Sequence, residues 1–302
     1  MLSTAVIAEA YAAAGSIRGA ALLLGVDERT LRRWAQERKS IHNALYPIDK
    51  PRPAVPSSMK ILALDIETQP NVALVWDLWQ KHPIPPQAVT QATEMLCWAA
   101  KWIGDPEIVF RASYGGGKAD MILTMWTLLN EADAVVHYNG ARFDIPYLNM
   151  EFVRQGLDPP SPYQQIDLYK FVKKNFSFPS KKLVYVSREF GLSGKIEHEG
   201  FPLWIKCING DEDAWARMKE YNVRDTELLE DLYFKLRPWG SNMPSHGAMS
   251  GEDVCPACGS AQLQSRGWAY TRTGKYRRCQ CSDCGKWSRA TKRSSGTGVT
   301  EL

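Results

Sequence analysis

The stretch Lys60-Ile-Leu-Ala-Leu-Asp-Ile-Glu-Thr68 is an apolar run that ends by presenting two carboxylates, Asp65 and Glu67. Side chains on a strand alternate sides with a period of two, so residues two apart share a face and their carboxylates can grip one hard cation. The run therefore reads as a buried strand whose end carries part of a metal site. From there the pattern is α/β. Residues 72–76, 95–102 and 107–111 are expected as further strands, 119–131 as a helix and 134–138 as a short buried strand. The chain then turns through Asn139-Gly140 into Phe143-Asp144, and a helix with Pro146 in its first turn runs to Gly156. Asp144 stands at that strand-to-helix junction, where the ordinary role of a carboxylate is an N-cap. Residues 157–210 read as helix and loop, with Lys170, Lys173, Lys174, Lys181 and Lys182 forming either a solvated face or a contact for a nucleic-acid backbone. A long helix over 213–236 carries Tyr221 and Asp225, which are four residues apart and so project from one side.

Composition sets the outer bounds. The 302 residues exceed a typical single domain, so two or three folded units are expected. A hydrophobic fraction of 44% and a charged fraction of 23% are those of a globular protein, and the longest apolar runs are too short to span a bilayer. The N-terminus lacks a signal-peptide pattern, so a cytoplasmic protein with no membrane partner is expected. Charge is uneven along the chain. Lys plus Arg against Asp plus Glu is 8 to 5 over residues 1–58, 20 to 24 over 59–237 and 9 to 4 over 238–302. An acidic middle between basic flanks suggests a central unit that holds cations and terminal modules that meet a polyanion.

The flanks fit that division. Residues 3–39 read as three short helices broken at glycines, and the last two form a helix-turn-helix pattern around Leu24-Gly25-Val26. The third helix would bring Arg29, Thr30, Arg32 and Arg33 to a groove and its phosphates, with Leu31 and Trp34 in a small core. The pattern resembles the helix-turn-helix of Fis-like and transposase-type DNA-binding families. At the other end, Cys255-Pro-Ala-Cys258 and Cys281-Ser-Asp-Cys284 are two CxxC knuckles, each followed by Gly, with twenty-two residues between the pairs. That spacing suits one structural zinc in a closed tetrahedral thiolate shell, with a hairpin between the knuckles, and it resembles a zinc ribbon. Cys279 is a fifth thiol, expected in the hairpin. Trp268, Tyr270, Tyr276 and Trp287 alternate there with basic residues, a composition suited to stacking and phosphate contact. The expected domains are 1–40 (helix-turn-helix module), 41–58 (linker), 59–238 (catalytic domain), 239–252 (linker), 253–292 (zinc ribbon) and 293–302 (flexible tail).

Taken in order, Leu64-Asp-Ile-Glu-Thr68, Asn139-Gly-Ala-Arg-Phe-Asp144 and Tyr221-Asn-Val-Arg-Asp225 resemble the three motifs of the DEDD superfamily of 3′–5′ exonucleases, in its tyrosine subclass and of phage or bacterial type. The resemblance spans roughly residues 59–237. It implies a ribonuclease H-like mixed sheet flanked by helices, between a small all-α domain and a small zinc ribbon. It implies cleavage of DNA from single-stranded or 3′ ends by a two-metal-ion mechanism, in a bacterial cell or phage-infected host, with service to a replication or repair complex. Two magnesium or manganese ions would be held by Asp65, Glu67, Asp144 and Asp225. Asp65 would bridge both, Glu67 and Asp225 would ligate the water-activating ion, and Asp144 would support the second. Tyr221 would orient the attacking water, and Asn139 and Phe143 would shape the turn and wedge the terminal nucleotide. His137, on a buried strand, is expected as a satisfied core residue. Two alternatives share these features: a transposase-like or structure-selective endonuclease of the same fold, and a DNA-binding regulator with an inactive nuclease core.

Overall fold

The computed structural model describes residues 2–14, 17–37, 59–192, 199–241 and 243–296. The expected linker over 41–58 and the end of the C-terminal tail lie outside the described residues. The chain divides into two compact units, Met1–Arg52 and Pro53–Leu302.

In the first unit, α1 (Thr4–Ala14), α2 (Ile17–Leu23) and α3 (Glu28–Glu37) close over Ile7, Ala10, Ala20, Ala21 and Leu31, with Trp34 packed beside them. Gly25, at φ +65°, supplies the left-handed residue that stops α2. Asp27 caps α3: its carboxylate accepts the Thr30 amide at 2.8 Å and the Thr30 hydroxyl at 2.6 Å. The Thr30 hydroxyl expected at a groove is thus engaged within its own helix end. Arg29 and Arg33 are exposed, and the side chain of Arg32 lies outside what is described.

The second unit is built on a five-stranded mixed sheet of β1 (Ile61–Thr68), β4 (Met95–Trp102), β5 (Val109–Ala112), β6 (Ala134–His137) and β7 (Gln164–Asp167), in the order β5-β4-β1-β6-β7. β1 pairs antiparallel with β4 and parallel with β6, so both of its edges are filled. One consequence overturns an expectation. Residues 72–76 do not join this sheet; only Val72–Ala73 (β2) is extended, and it pairs with Val89–Gln91 (β3) in a separate two-stranded ladder. The apolar residues that suggested a strand, Leu74, Val75 and Trp76, stand in solvent. Conversely β7, parallel to β6, was absent from the sequence reading because its Gln-Gln-Ile-Asp holds a single apolar residue.

Each face of the sheet has its own core. Leu62, Leu64 and Ile66 point to one side, where α4 (Lys118–Glu131) and α5 (Asp144–Arg154) cover them with Met121, Met125, Leu129, Leu148 and Phe152. Ile61 and Ala63 point to the other, where Leu229, Leu232, Tyr233 and Leu236 of a long helix, α9 (Glu212–Leu236), pack with α6 (Leu168–Asn175) and α7 (Leu183–Glu189). By the strand's period of two, Asp65 and Glu67 must face α9 as well. A shorter helix, α8 (Phe201–Ile208), packs Leu203 and Cys207 against Cys97, Met218 and Tyr221 beside them.

Beyond α9, residues 246–250 form a short helix, α10 (His246–Ser250), capped by Ser245. β8 (Leu263–Tyr270), β9 (Gly274–Cys281) and β10 (Trp287–Gly296) then make a three-stranded antiparallel sheet in the order β10-β9-β8. β10 runs past residue 292 because β9 offers it partners as far as Gly274, which pairs with Gly296. No helix among the described residues is long and apolar enough to cross a membrane.

Candidate active site

Asp65 and Glu67 lie half-buried on the α9 side of β1, opposite Ala99 and Cys97 of β4. α9 brings Tyr221, Asn222 and Asp225 to them, one helical turn spanning the three, and all three are buried. Asn222 is the link. Its Nδ2 donates to Asp65 Oδ2 at 2.8 Å and to the Asp65 carbonyl at 3.2 Å, which fixes that carboxylate's rotamer. The Thr226 hydroxyl, one turn on, lies 3.0 Å from the Asn222 carbonyl of its own helix and 3.3 Å from the Ala99 carbonyl of β4.

Asp144 reaches the same strand from the other direction. Its Oδ1 accepts the Ile66 amide at 3.2 Å, so the second carboxylate element is tied to the residue between Asp65 and Glu67. The turn that delivers it is tight. Asn139 adopts φ +68°, and its amide donates to Asp167 Oδ1 at 3.0 Å. The Gly140 amide donates to His137 Nδ1 at 3.0 Å, and a Cβ on Gly140 would meet His137 Cγ at 2.5 Å and Asp144 Oδ2 at 2.8 Å. His137 itself is fully buried with its other ring nitrogen on Gln165, a satisfied core residue as expected. Phe143 stands at the mouth, partly exposed, with its ring 4.8 Å from that of Tyr147.

The electrostatics of the cluster follow from burial and like charge. Burial pushes the Asp144 carboxyl up to about 7 from 3.8; the Ile66 hydrogen bond opposes this and nearby Asp167 adds to it. Burial also pushes the Tyr221 hydroxyl well above its ordinary value, reinforced by Glu67, Asp225 and Asp65 and by its hydrogen bond to Asp225. Beneath them the Cys97 thiol is raised by burial and by Glu67 and Asp65. These groups report on one another, so Asp65, Glu67, Tyr221 and Asp225 occupy one locality. A donor set of buried and half-buried carboxylate oxygens fits hard divalent cations, whose charge would relieve the repulsion. Two ions need ligands spread over more than one coordination sphere. Among the described residues, the donors that all lie within 4.8 Å of one another are the four cysteines and not the carboxylates.

Those four are Cys255, Cys258, Cys281 and Cys284, with Sγ–Sγ separations of 3.6 Å for Cys255–Cys284 and for Cys258–Cys281. Thiols at that spacing cannot all ionise unaided; Cys255 is held down by hydrogen bonds from Cys258 and Cys284, and Cys258 is pushed up in return. The cluster is able to hold a metal ion, and its all-sulfur donors fit zinc. Cys279, half-buried on β9, is not among them.

Residues 108–237 match the RNase_H_2 family of the RNase_H superfamily. The fold is ribonuclease H-like. Among solved structures, the chain is similar to the family B DNA polymerase from the hyperthermophilic archaeon Pyrobaculum calidifontis, with a TM-score of 0.44 and 19% identity over 60% of this chain. The match covers 25% of that polymerase's length. No curated protein matches the sequence.

Two residues of the cluster were not singled out from sequence. Asn222 sits inside the third motif, one residue after Tyr221, and its helical phase with Asp225 was the available signal. Asp167 gave a weaker one, a lone carboxylate closing a short polar strand ahead of a helix that it caps through the Lys170 amide.

Proposed function

We propose that the chain is a metal-dependent 3′–5′ exonuclease that hydrolyses phosphodiester bonds of DNA. The observation that carries this is the convergence of Asp65, Glu67, Asp225 and the Tyr221 hydroxyl between one strand end and one helix, with Asp144 bonded to the backbone of the same strand. Asp65, Glu67, Asp144 and Asp225 would hold two magnesium or manganese ions. When bound, such ions acidify the attacking water and neutralise the charge that gathers on phosphorus and on the departing 3′ oxygen. The protein's own groups set the geometry. Asn222 holds Asp65 in one orientation, and the Ile66 amide does the same for Asp144. Tyr221 stays protonated because its surroundings oppose a phenolate, so its part is to orient water through the hydroxyl oxygen, not to remove a proton.

A cleft of about 390 Å³ adjoins the site, lined by Thr68, Gln69, Tyr147, Phe201 and Trp204, and Trp204 stands edge-on to Tyr221 with centroids 6.1 Å apart. Apolar walls beside the carboxylates suit an unpaired terminal base; Tyr147 lines the cleft, the Phe143 ring lies 4.8 Å from it, and Asn139 shapes the turn that precedes them. Arg29, Arg32 and Arg33 of the N-terminal module would hold DNA through its phosphates and keep an end near the site.

The test uses 5′-labelled single-stranded DNA with magnesium. A ladder of products shortened from the 3′ end, absent with Asp65→Ala and with a blocked 3′ terminus, supports the reading. Internal cuts, or cleavage unchanged in Asp65→Ala, refute it.

A further inference from the structure

The C-terminal sheet carries a feature that neither metal site uses. Residues 261–296 hold nine Lys and Arg against one carboxylate, Asp283. Register sorts part of that charge onto a single face. Residues paired directly across an antiparallel ladder share a face, so Gln280 and Trp287, Arg278 and Arg289, and Tyr276 and Arg293 line up on one side of β9 and β10. Arg278 and Arg289 are therefore directly opposed like charges, an arrangement that weakens a sheet. The aromatic rings hold them in place: the Arg278 guanidinium lies 4.9 Å from the Trp287 ring and that of Arg289 lies 4.4 Å from Tyr276. Arg293 extends the row across two glycines, where a Cβ would meet it at 2.6 Å from Gly274 and 2.2 Å from Gly296.

We propose that this face, formed by Tyr276, Arg278, Trp287, Arg289 and Arg293, is a binding track for single-stranded nucleic acid. Charge complementarity selects a polyanion, because opposed arginines with almost no local carboxylate gain most from phosphates laid between them. The rings select a single strand. Each ring is covered by a cation on one side, and 47% of Trp287 remains exposed for a base to stack on; a duplex keeps its bases inside and cannot use it. The track deepens the tethering part of the proposed function, since it would retain the strand independently of the carboxylate site.

The experiment keeps binding and cleavage apart. Full-length protein carrying Asp65→Ala, loaded with zinc and without added magnesium, is titrated with fluorescent oligo(dT), with a duplex of equal length and with heparin as competitors. Arg278→Ala/Arg289→Ala is expected to weaken oligo(dT) binding at least about tenfold and to reduce the salt slope by about 2. Trp287→Ala should weaken it with the salt slope unchanged, while parallel cobalt-substituted samples of every variant show the thiolate absorption of an intact four-cysteine site. Equal binding by the variants, or competition by duplex or heparin as effective as by oligo(dT), overturns the proposal. Cleavage unchanged in Asp65→Ala while Arg278→Ala/Arg289→Ala still loses oligo(dT) is failure of the nuclease reading alone; equal oligo(dT) binding by the track variants while Asp65→Ala still abolishes cleavage is failure of this inference alone.

Discussion

At the scale of single residues, the site depends on groups that orient carboxylates as much as on the carboxylates. Asn222 makes two hydrogen bonds to Asp65, through its main-chain and side-chain oxygens. Partners of this kind behind a metal ligand are worth roughly 10- to 100-fold in activity or metal affinity. Asn222→Ala should therefore lower magnesium-dependent turnover by that factor with no loss of folding, read by single-turnover rates beside circular dichroism. Asp144 makes a pH prediction. Its carboxyl sits at about 7 in the folded, metal-free protein against 3.8 ordinarily, so the folded state binds more protons than the unfolded chain between those values. The contribution of Asp144 to stability then falls as pH rises from about 4 to about 7, by at most about 4 kcal/mol for a group so buried. Urea midpoints across that range without added divalent ions check it: the decline should flatten in Asp144→Asn and on adding magnesium. A slope unchanged by either would count against the burial of that carboxyl.

At the scale of elements, β1 and α9 do most of the positioning, and both were legible from sequence, β1 as an apolar run ending in two carboxylates and α9 by its apolar stripe. A strand's period of two puts Asp65 and Glu67 on one face, and the spacing of Tyr221 and Asp225 gave theirs. Periodicity says nothing of edges. The apolar run at 72–76 resembled a strand as closely as β5 did, yet both edges of β1 were already occupied by β4 and β6. The second motif was legible as a turn but not in its packing. Gly140 lies against His137 and Asp144 so closely that Gly140→Ala must move one of them. The expected result is a fall in turnover larger than the accompanying fall in melting temperature, because the displaced atom belongs to the candidate site. Behind the site, Lys101 of β4 and Glu230 of α9 form a buried ion pair at 2.9 Å, and Glu230 also accepts the Gly104 amide. Removing one charge strands the other, so Lys101→Met alone should cost about 3–5 kcal/mol and Lys101→Met/Glu230→Gln less, measured by chemical denaturation.

At the scale of the whole molecule, two parts of the second unit are stabilised by different means. The sheet of residues 61–167 has apolar cores on both faces, whereas the C-terminal sheet buries little beyond Cys255, Ala257, Cys258 and Cys281, with Leu263 beside them. So small an apolar core does not hold three strands by itself, and in such modules metal binding is the folding free energy. Its connections toward the preceding segment include the Lys286 ammonium on the Gly240 carbonyl and the His246 amide on the Pro256 carbonyl. A strong zinc chelator, or Cys258→Ser, should therefore unfold residues 255–296 selectively. Protease should cut between 263 and 296 while a fragment covering 59–236 stays protected, and oligo(dT) binding should fall to the level of Arg278→Ala/Arg289→Ala. The melting transition of the remaining fragment should persist, since no fully buried residue of its two sheet cores lies beyond Leu236 and only Met243 packs on one of them from outside. Simultaneous loss of protection across both segments would mean instead that the four-cysteine site supports the five-stranded sheet directly, and the division into separately stabilised parts would have to be given up.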